Sequence, residues 1–303
     1  MKKTQRNLIG GALLAALISS SASAALQRFD SPDMAMLALA SAITSNNSKA
    51  LQAMLGRDAD SLLSSGDAVQ DKQLRKQFGD DFNQAHQIDV NGKRASLRLG
   101  NDNWVFPIPL LQIDGKWVFD PHAGKDEILN RRIGRNERST MQVMLAYVAA
   151  QRDYALLARE HLGSPQYAQK LVSSPGKFDG LYWPAQQSPV ASPIGPEMAA
   201  AKAEGYKMAG AGRPYHGYFY RILRAQGSEA KGGERDYVIG GRMIGGFALL
   251  AWPASYGNSG VMSFMVNQDG VVYQRDLGRD TAHKAQAITR YNPGSKWQLA
   301  KPE

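Results

Sequence analysis

The chain has 303 residues, 43% of them hydrophobic and 21% charged, with a formal net charge of +9 at pH 7. These fractions are typical of a globular protein with a sizeable hydrophobic core. The absence of cysteine excludes disulfides, thiolate catalysis, thiolate metal sites, thioether attachment of haem and lipidation at a terminal cysteine.

The first 24 residues have the layout of a secretory signal peptide. Basic residues are followed by the apolar run 8–18, and Ala22-Ser23-Ala24 forms a cleavage site. The run is too short to cross a bilayer as a helix. We therefore expect cleavage after Ala24 and release into the periplasm, with no integral membrane segment left. The leader holds three of the 36 basic and none of the 27 acidic residues, so its removal lowers the net charge to +6. This small excess gives no support to nucleic-acid binding.

The next segment predicts helices followed by an antiparallel sheet. Helical spacing of apolar residues runs through 32–63, and Asp67 is suited to cap a further helix that ends near Phe82. Alternating residues on both sides of Asn91-Gly92 and Asp114-Gly115 predict two hairpins. This order indicates an α+β unit with helices over a curved sheet, and a cone-like arrangement is one form it could take.

The second half changes in character along the chain. Residues 125–161 predict one long helix, or two helices with a break near Gly134. Residues 163–214 are rich in proline and glycine and predict irregular structure, with a short helix after Pro196. From Tyr218 onward, short alternating runs predict an antiparallel β-meander. We therefore expect a domain at 25–162 that ends in the long helix, and a second domain at 163–303.

Several motifs together resemble a known bacterial family. They are PIPL at 107–110 with Trp117, GKDEI at 124–128, RIGRNE at 132–137, SPGK at 174–177, DGLYWP at 179–184, YHGY at 215–218, GRMIGGFAL at 241–249 and NQDGV at 267–271. On these residues the chain resembles the exported proteins grouped as domain of unknown function 2950. The resemblance covers nearly all of the mature chain and implies export, but it implies no activity and no catalytic residue.

A weaker, local resemblance concerns the C-terminal meander. The stretch 217–220, Phe247-Ala248 with Trp252-Pro253, Gly260 and the stretch 267–271 are similar to the terminal sheet of some pilin-like proteins. The chain lacks the long apolar helix of a prepilin and its cleavage motif, which argues against polymerisation as a pilin. The shared feature is a sheet, and a fold does not carry a function with it.

Signatures of catalysis, metal binding and nucleotide binding are weak. Ser174 and Ser228 each begin an S-x-x-K pattern, but neither lies in a predicted helix that would bring the lysine beside the hydroxyl. The five histidines are scattered and form no metal-binding spacing. The glycine-rich stretch 240–246 does not read G-x-G-x-x-G and leads into a strand. We therefore predict no catalytic residue, no metal and no cofactor.

The candidate binding residues fall into two groups. Arg131 and Arg135 share a helix face and could bind an anion, although Glu127 is placed for an ordinary ion pair with Arg131. The second group is aromatic, with neighbouring polar residues that suit a glycan or a partner protein, although packing in the core explains the same rings. It comprises Asp179, Tyr182, Trp183, His216 and Tyr218.

The function predicted from the sequence is that of a periplasmic, non-enzymatic interaction or assembly protein of the cell envelope, with an envelope protein or a glycan as partner. The alternative is an envelope hydrolase that acts on peptidoglycan or peptides, with a site near Ser174, Asp179 or His216. Such chemistry needs these groups within hydrogen-bond reach of one another. A third hypothesis is a small-ligand module that uses the N-terminal part.

Overall fold

The computed structural model describes residues 26–162, 164–206 and 213–301, so the predicted signal peptide lies outside the described residues. The chain first forms four helices: α1 (Pro32–Thr44), α2 (Ser48–Leu55), α3 (Ala59–Leu63) and α4 (Ala68–Gln84), with a 3₁₀ turn at Gly56–Asp58. Ser31, Asn47 and Asp67 cap α1, α2 and α4 by accepting backbone N–H groups. The predicted helical segment and the Asp67 cap are thus confirmed.

The first sheet follows the helices. Its strands are β1 (His86–Asn91), β2 (Arg94–Leu99), β3 (Trp104–Val105), β4 (Leu110–Ile113) and β5 (Lys116–Phe119). They lie in the order β1-β2-β4-β5, and β3 pairs with β2. Pro107 and Pro109 separate β3 from β4, because proline cannot donate to a strand ladder. Both predicted hairpins are present.

The two hairpin turns differ in register. At the second turn, Asp114 and Gly115 both have positive φ, as the type I′ turn predicted from Asp-Gly requires. At the first, Asn91 pairs with Arg94 inside the ladder, so the loop residues are Gly92 and Lys93 rather than Asn91-Gly92. Gly92 has a φ of 59°, which matches a turn with glycine at its first central position.

The long helix α5 (Pro121–Leu162) is continuous through Gly134, so the alternative of two helices is wrong. Near its start, Gly124 lies against the strand connection between β3 and β4. A β-carbon at Gly124 would be 2.6 Å from the carbonyl oxygen of Pro107, so the helix approaches this backbone as closely as only glycine permits.

The predicted irregular segment contains two short strands and a helix. β6 (Lys170–Val172) and β7 (Gly180–Tyr182) form a parallel pair that the sequence did not predict. Helix α6 (Gly195–Ala203) contains Pro196 in its first turn, as expected. Two short antiparallel pairs follow further along the chain: β9 (Ala225–Gln226) with β10 (Arg235–Asp236), and β11 (Val238–Ile239) with β12 (Arg242–Met243).

The second sheet is the predicted antiparallel meander. It contains β8 (Tyr218–Leu223), β13 (Ala248–Pro253), β14 (Met262–Asn267), β15 (Tyr273–Asp276) and β16 (Gln298–Leu299), paired in the order β16-β15-β14-β13-β8. Helix α7 (Thr281–Ala287) packs on β13. The fold is therefore α+β, with helices beside an antiparallel sheet, a long central helix and a C-terminal meander.

Two hydrophobic cores are connected by α5. The first lies between the early helices and the first sheet, and Ile128 of α5 packs against it. The second lies beneath the meander and contains Met144, Tyr147 and Val148 of the same helix. Between these apolar stretches of α5 lies a segment with buried polar side chains, and this segment positions the candidate site.

Candidate functional site

The buried polar part of α5 meets α4 and two loops of the second half. We call this cluster the polar junction. It consists of Asp67, Gln70, Arg132, Asn136 and Glu137, together with Gly217, Asn258 and Ser259.

Asp67 is the acidic centre of the polar junction, and only 1% of it is exposed. Its Oδ1 accepts the backbone N–H groups of Val69 and Gln70 at the start of α4. Its Oδ2 accepts the Tyr206 hydroxyl at 2.7 Å and the backbone N–H of Gly217 at 3.0 Å. One carboxylate therefore caps a helix of the first half and holds a loop of the second half.

Arg132 ties α3 to the second half from the other side of the junction. Its guanidinium donates to the carbonyl of Ser61 at 3.0 Å, to the carbonyl of Leu62 and to the side-chain oxygen of Asn258. Burial lowers the pKa of Arg132, although the charge of Asp71 acts in the opposite direction. A cation at the end of α3 also suits the negative end of the helix dipole.

Asn136 completes the contact between α4 and the second half. Its Oδ1 accepts from the Gln70 amide at 2.8 Å, and its Nδ2 donates to the Ser259 carbonyl at 2.9 Å. Gly217 lies directly above this amide with a φ of 76°. The RIGRNE and YHGY motifs therefore meet in space, although Asn136 and Gly217 are 81 positions apart in the sequence.

Glu137 is hydrogen-bonded to the start of β14. Its Oε1 accepts the backbone N–H groups of Val261 and Met262, each at 2.9 Å. The Tyr218 hydroxyl lies 3.5 Å from the same oxygen and donates to the Met262 carbonyl at 2.9 Å. Burial raises the pKa of Tyr218, and the negative charge of Glu137 raises it further.

The polar junction is bordered by a half-buried group that we call the aromatic rim: Tyr206, Tyr215, His216 and Glu204. The rings of Tyr215 and His216 lie 4.2 Å apart, edge to face. The His216 Nε2 is 3.0 Å from Oε2 of Glu204, and that buried oxygen accepts no directed hydrogen bond among the described residues. Burial raises the pKa of Tyr215 to about 12, with further contributions from Glu204, Glu197 and Asp67.

The two predicted arginines lie outside the polar junction. Arg131 pairs with Glu127 at 2.6 Å, as the sequence indicated, and its guanidinium lies over the ring of Trp104 at 5.7 Å. Arg135 remains largely exposed, although its pKa is lowered by the surrounding protein and then by Arg138. Neither arginine is brought together with His216 or Asp179, and an anion-binding role for them stays a prediction.

Asp179 organises a separate turn. Its carboxylate accepts from the Ser174 backbone N–H at 2.7 Å, the Ser174 hydroxyl at 3.0 Å and the Lys170 ammonium at 2.7 Å. Partial burial raises the pKa of Asp179, but the hydrogen bonds from Lys170 and Ser174 outweigh it and lower the pKa to about 2. Asp179 and Ser174 thus meet, whereas the contacts of His216 are with the aromatic rim. Two of the three groups named in the hydrolase hypothesis are therefore brought together.

The remaining predicted aromatic residues are used in packing. Trp183 is 4% exposed, donates from Nε1 to the Val190 carbonyl and packs edge-on against Phe178. Tyr218 is fully buried, and Tyr182 is half-buried against the second core. Their proposed role in binding stays a prediction, but the ring faces of Trp183 and Tyr218 lie within the protein.

The buried polar face of α5 is not among the sites predicted from the sequence. Arg132, Asn136 and Thr140 follow one another at intervals of four residues, and all are buried. A polar stripe at this spacing lies on one face of a helix, so it could have been found from the sequence. No sequence spacing indicates the contacts of Tyr206 and Glu204. These contacts arise because a segment of the second half packs against Asp67.

An apolar groove of about 390 Å³ lies beside the first sheet, with Leu26, Leu111, Ile113, Val118 and Pro121 in its lining. This groove is the feature of the N-terminal part that best corresponds to the pocket expected for a small-ligand module. Across residues 26–162, 164–206 and 213–301, no group of three or more acidic or histidine side chains is placed to hold a metal ion. In the same ranges, no helix has both the length and the apolar character needed to cross a bilayer.

The comparisons with known proteins agree with the motifs. A family model described as "Protein of unknown function (DUF2950)" matches residues 26–300. This confirms the family predicted from the motifs, whereas the pilin-like resemblance stays a prediction. No curated protein and no solved structure matches the chain significantly.

Proposed function

The chain belongs to the DUF2950 family of proteins of unknown function, and from that premise we propose that it is an exported, periplasmic interaction protein of the cell envelope. Its role in this proposal is to hold a partner protein rather than to catalyse a reaction. The predicted signal peptide supports export, and the polar junction supports the binding role.

One observation carries this proposal: the carboxylates of the polar junction are occupied by structural donors. Asp67 accepts hydrogen bonds from the Tyr206 hydroxyl and the Gly217 backbone N–H, and Glu137 accepts two backbone N–H groups of the meander. A general acid or base has to exchange a proton with its substrate. Groups that are held in this way serve instead to fix the two halves as a rigid support for a surface.

The surface that this support presents is the aromatic rim. Acidic side chains lie around Tyr215: Glu204, Glu197 and the buried Asp67 all act on it in the direction that disfavours the phenolate. A half-exposed tyrosine beside carboxylates suits an arginine or lysine side chain through ion pairing and cation–π contact. We infer that the partner presents a basic segment, and that this partner is an envelope protein.

A photo-crosslinking amino acid in place of Tyr215, introduced in intact cells, tests the proposal. We expect one identified envelope protein with a basic segment to be captured, and Glu197→Lys to reduce that capture because it reverses a charge near the rim. Asp153→Lys, on an exposed part of α5, is the charge-matched control and should leave capture unchanged. Capture that is insensitive to Glu197→Lys, or equal capture from a crosslinker at Lys93, would refute the proposed surface.

The proposed location has its own test. Release of the protein by osmotic shock and sequencing of its N-terminus should show a mature chain that begins at Ala25. A chain that keeps its leader, or that stays in the spheroplast fraction, would contradict periplasmic release while leaving the binding experiment interpretable.

An envelope hydrolase is the second candidate, because the Lys170 ammonium lies 2.6 Å from the Ser174 hydroxyl. A serine nucleophile needs a base that can take its proton. Here the neighbouring carboxylate of Asp179, with a pKa of about 2, is a weak base. Peptidoglycan digestion by purified wild-type protein, abolished by Ser174→Ala, would establish this function in place of the first.

A further inference from the structure

A second feature lies on the meander, away from the polar junction and the aromatic rim. It is a cleft of about 490 Å³, with a floor that includes Met265 and Arg275 and walls formed by residues 287–297 and Glu229. Its size falls in the range of small-molecule sites. Most of its lining is polar, which separates it from the apolar groove beside the first sheet.

The cleft carries excess positive charge. Arg275, Arg290 and Lys296 line it, against the single carboxylate of Glu229. Arg290 is paired with Glu234 at 3.1 Å and with Asp236 at 3.6 Å. Within the described part of the chain, Arg275 and Lys296 have no acidic side chain at ion-pair distance. Two cations are therefore left to attract an anionic group.

The walls of the cleft are held in place by the protein. The Asn292 side chain pairs with both the backbone and the carboxylate of Glu229, at 2.9 and 3.0 Å. Tyr291 exchanges backbone hydrogen bonds with Ala225 and Gly227, each at 2.9 Å. Arg221 donates to the carbonyls at the end of α7, where the wall begins. A preformed cleft binds with less loss of conformational entropy.

The lining also fits a sugar ring. Trp297 is half-buried in the wall and provides an aromatic surface, while Thr289 and Ser295 provide hydroxyl groups. An aromatic surface next to hydrogen-bonding groups suits a saccharide, and the cations suit a carboxylate.

We propose that this cleft binds a saccharide that bears a carboxylate. The cations hold the carboxylate, Trp297 contacts the ring and the polar walls contact its hydroxyl groups. This site is independent of the aromatic rim, so it stands whether or not that surface binds a partner protein.

Titration of the full mature protein with sodium glucuronate, followed by two-dimensional NMR, tests the site. We expect saturable shifts of residues 287–297 with a Kd of about 1 mM, a weak affinity of the kind expected for a small ligand with few contacts. The double variant Arg275→Ala/Lys296→Ala should raise the Kd by about tenfold or more, because two charge-assisted contacts are lost. The spectrum of the free variant shows whether it is folded.

The controls separate charge and ring recognition. Lys49→Ala/Lys93→Ala removes two exposed positive charges elsewhere and should leave the Kd unchanged, while Trp297→Ala should weaken glucuronate binding without removing the cations. Glucose tests recognition of the sugar ring without the carboxylate, and inorganic phosphate tests recognition of an anion without the ring. Both should bind more weakly than glucuronate. Equal binding of either probe, unsaturable shifts or an unchanged Kd in the Arg275/Lys296 variant would overturn the proposal.

Discussion

Gly217 and Asn136 are in such close contact that a β-carbon on Gly217 would lie 2.5 Å from Nδ2 of Asn136. The loop that carries Gly217 also donates its N–H to Asp67. The position therefore needs both a positive φ and the absence of a side chain. Through this position the second half contacts both Asn136 of α5 and Asp67, the cap of α4.

Gly217→Ala should consequently destabilise the protein strongly. The left-handed backbone costs about 1 kcal/mol for alanine, and the clash with Asn136 adds about 1–3 kcal/mol. Gly233→Ala is the matched control, because Gly233 also has a positive φ of 75° but has nothing within 4 Å of its β-carbon position. Urea unfolding should show only the smaller loss for Gly233→Ala, and equal losses would contradict the proposed contact.

Arg132 and Arg131 allow a comparison between neighbours on one helix. Arg132→Ala leaves the carbonyls of α3 and the Asn258 side chain without their donor, which should cost about 3 kcal/mol of unfolding free energy. Arg131→Ala removes an exposed pair with Glu127 and should cost at most about 0.5 kcal/mol. Chemical denaturation measures both values. Similar losses at the two positions would show that Arg132 is not a structural link.

The Asp179 turn predicts a dependence of stability on acid. The pKa of Asp179 is lowered to about 2 from an ordinary 3.8, so its contribution is complete above about pH 4 and is lost as the pH falls towards 2. The side chain is 35% exposed, and solvent screening limits the contribution to about 1 kcal/mol.

Asp179→Asn should therefore lower the unfolding free energy at pH 7 and have little effect near pH 2. Asp80→Asn, which removes an exposed pair with Lys76, should change stability by no more than about 0.5 kcal/mol at either pH. Unfolding curves at a series of pH values provide the measurement. A loss that is the same at pH 7 and pH 2 would contradict the assigned role of the carboxylate.

The buried Tyr218 hydroxyl predicts that the protein loses stability at alkaline pH. Because burial and Glu137 raise the pKa of Tyr218 in the folded protein, its contribution is complete below about pH 10 and is lost as the pH rises further. Tyr218→Phe should cost about 1 kcal/mol at pH 7, since the hydrogen bond to Met262 is lost. It should also make the fall in stability above pH 10 shallower, by up to about 1.4 kcal/mol per pH unit. An identical slope in the two proteins would refute this assignment.

The sequence could predict those features that depend on local spacing. Asp67 was recognised as a helix cap, because the cap residue bonds to N–H groups two and three residues ahead. The Asp114-Gly115 turn was also predictable, because both residues have positive φ and few other residue types adopt that conformation readily. The pairing of Glu127 with Arg131 follows from one turn of helix. Each of these relationships spans only a few residues.

Other relationships could not be predicted, because they depend on which segments pack together. Local pattern did not indicate that Asp67 also binds Tyr206, or that Arg132 reaches Asn258. The sequence drew attention to the exposed residues Arg131 and Arg135 of α5, whereas the tertiary structure buries their neighbours Arg132 and Asn136 on an adjacent face.

The sequence by itself indicated the family through its motifs. It also determined the α+β class, the long helix and the meander, because helix and strand periodicity and turn residues act over short distances. Only the tertiary structure decided that polar residues of α5 form the polar junction, and that Trp183 and Tyr218 are packed inside. The physical reason is that burial and electrostatic environment are set by neighbours that are distant in the chain, and a group's hydrogen-bond partners decide what it can do.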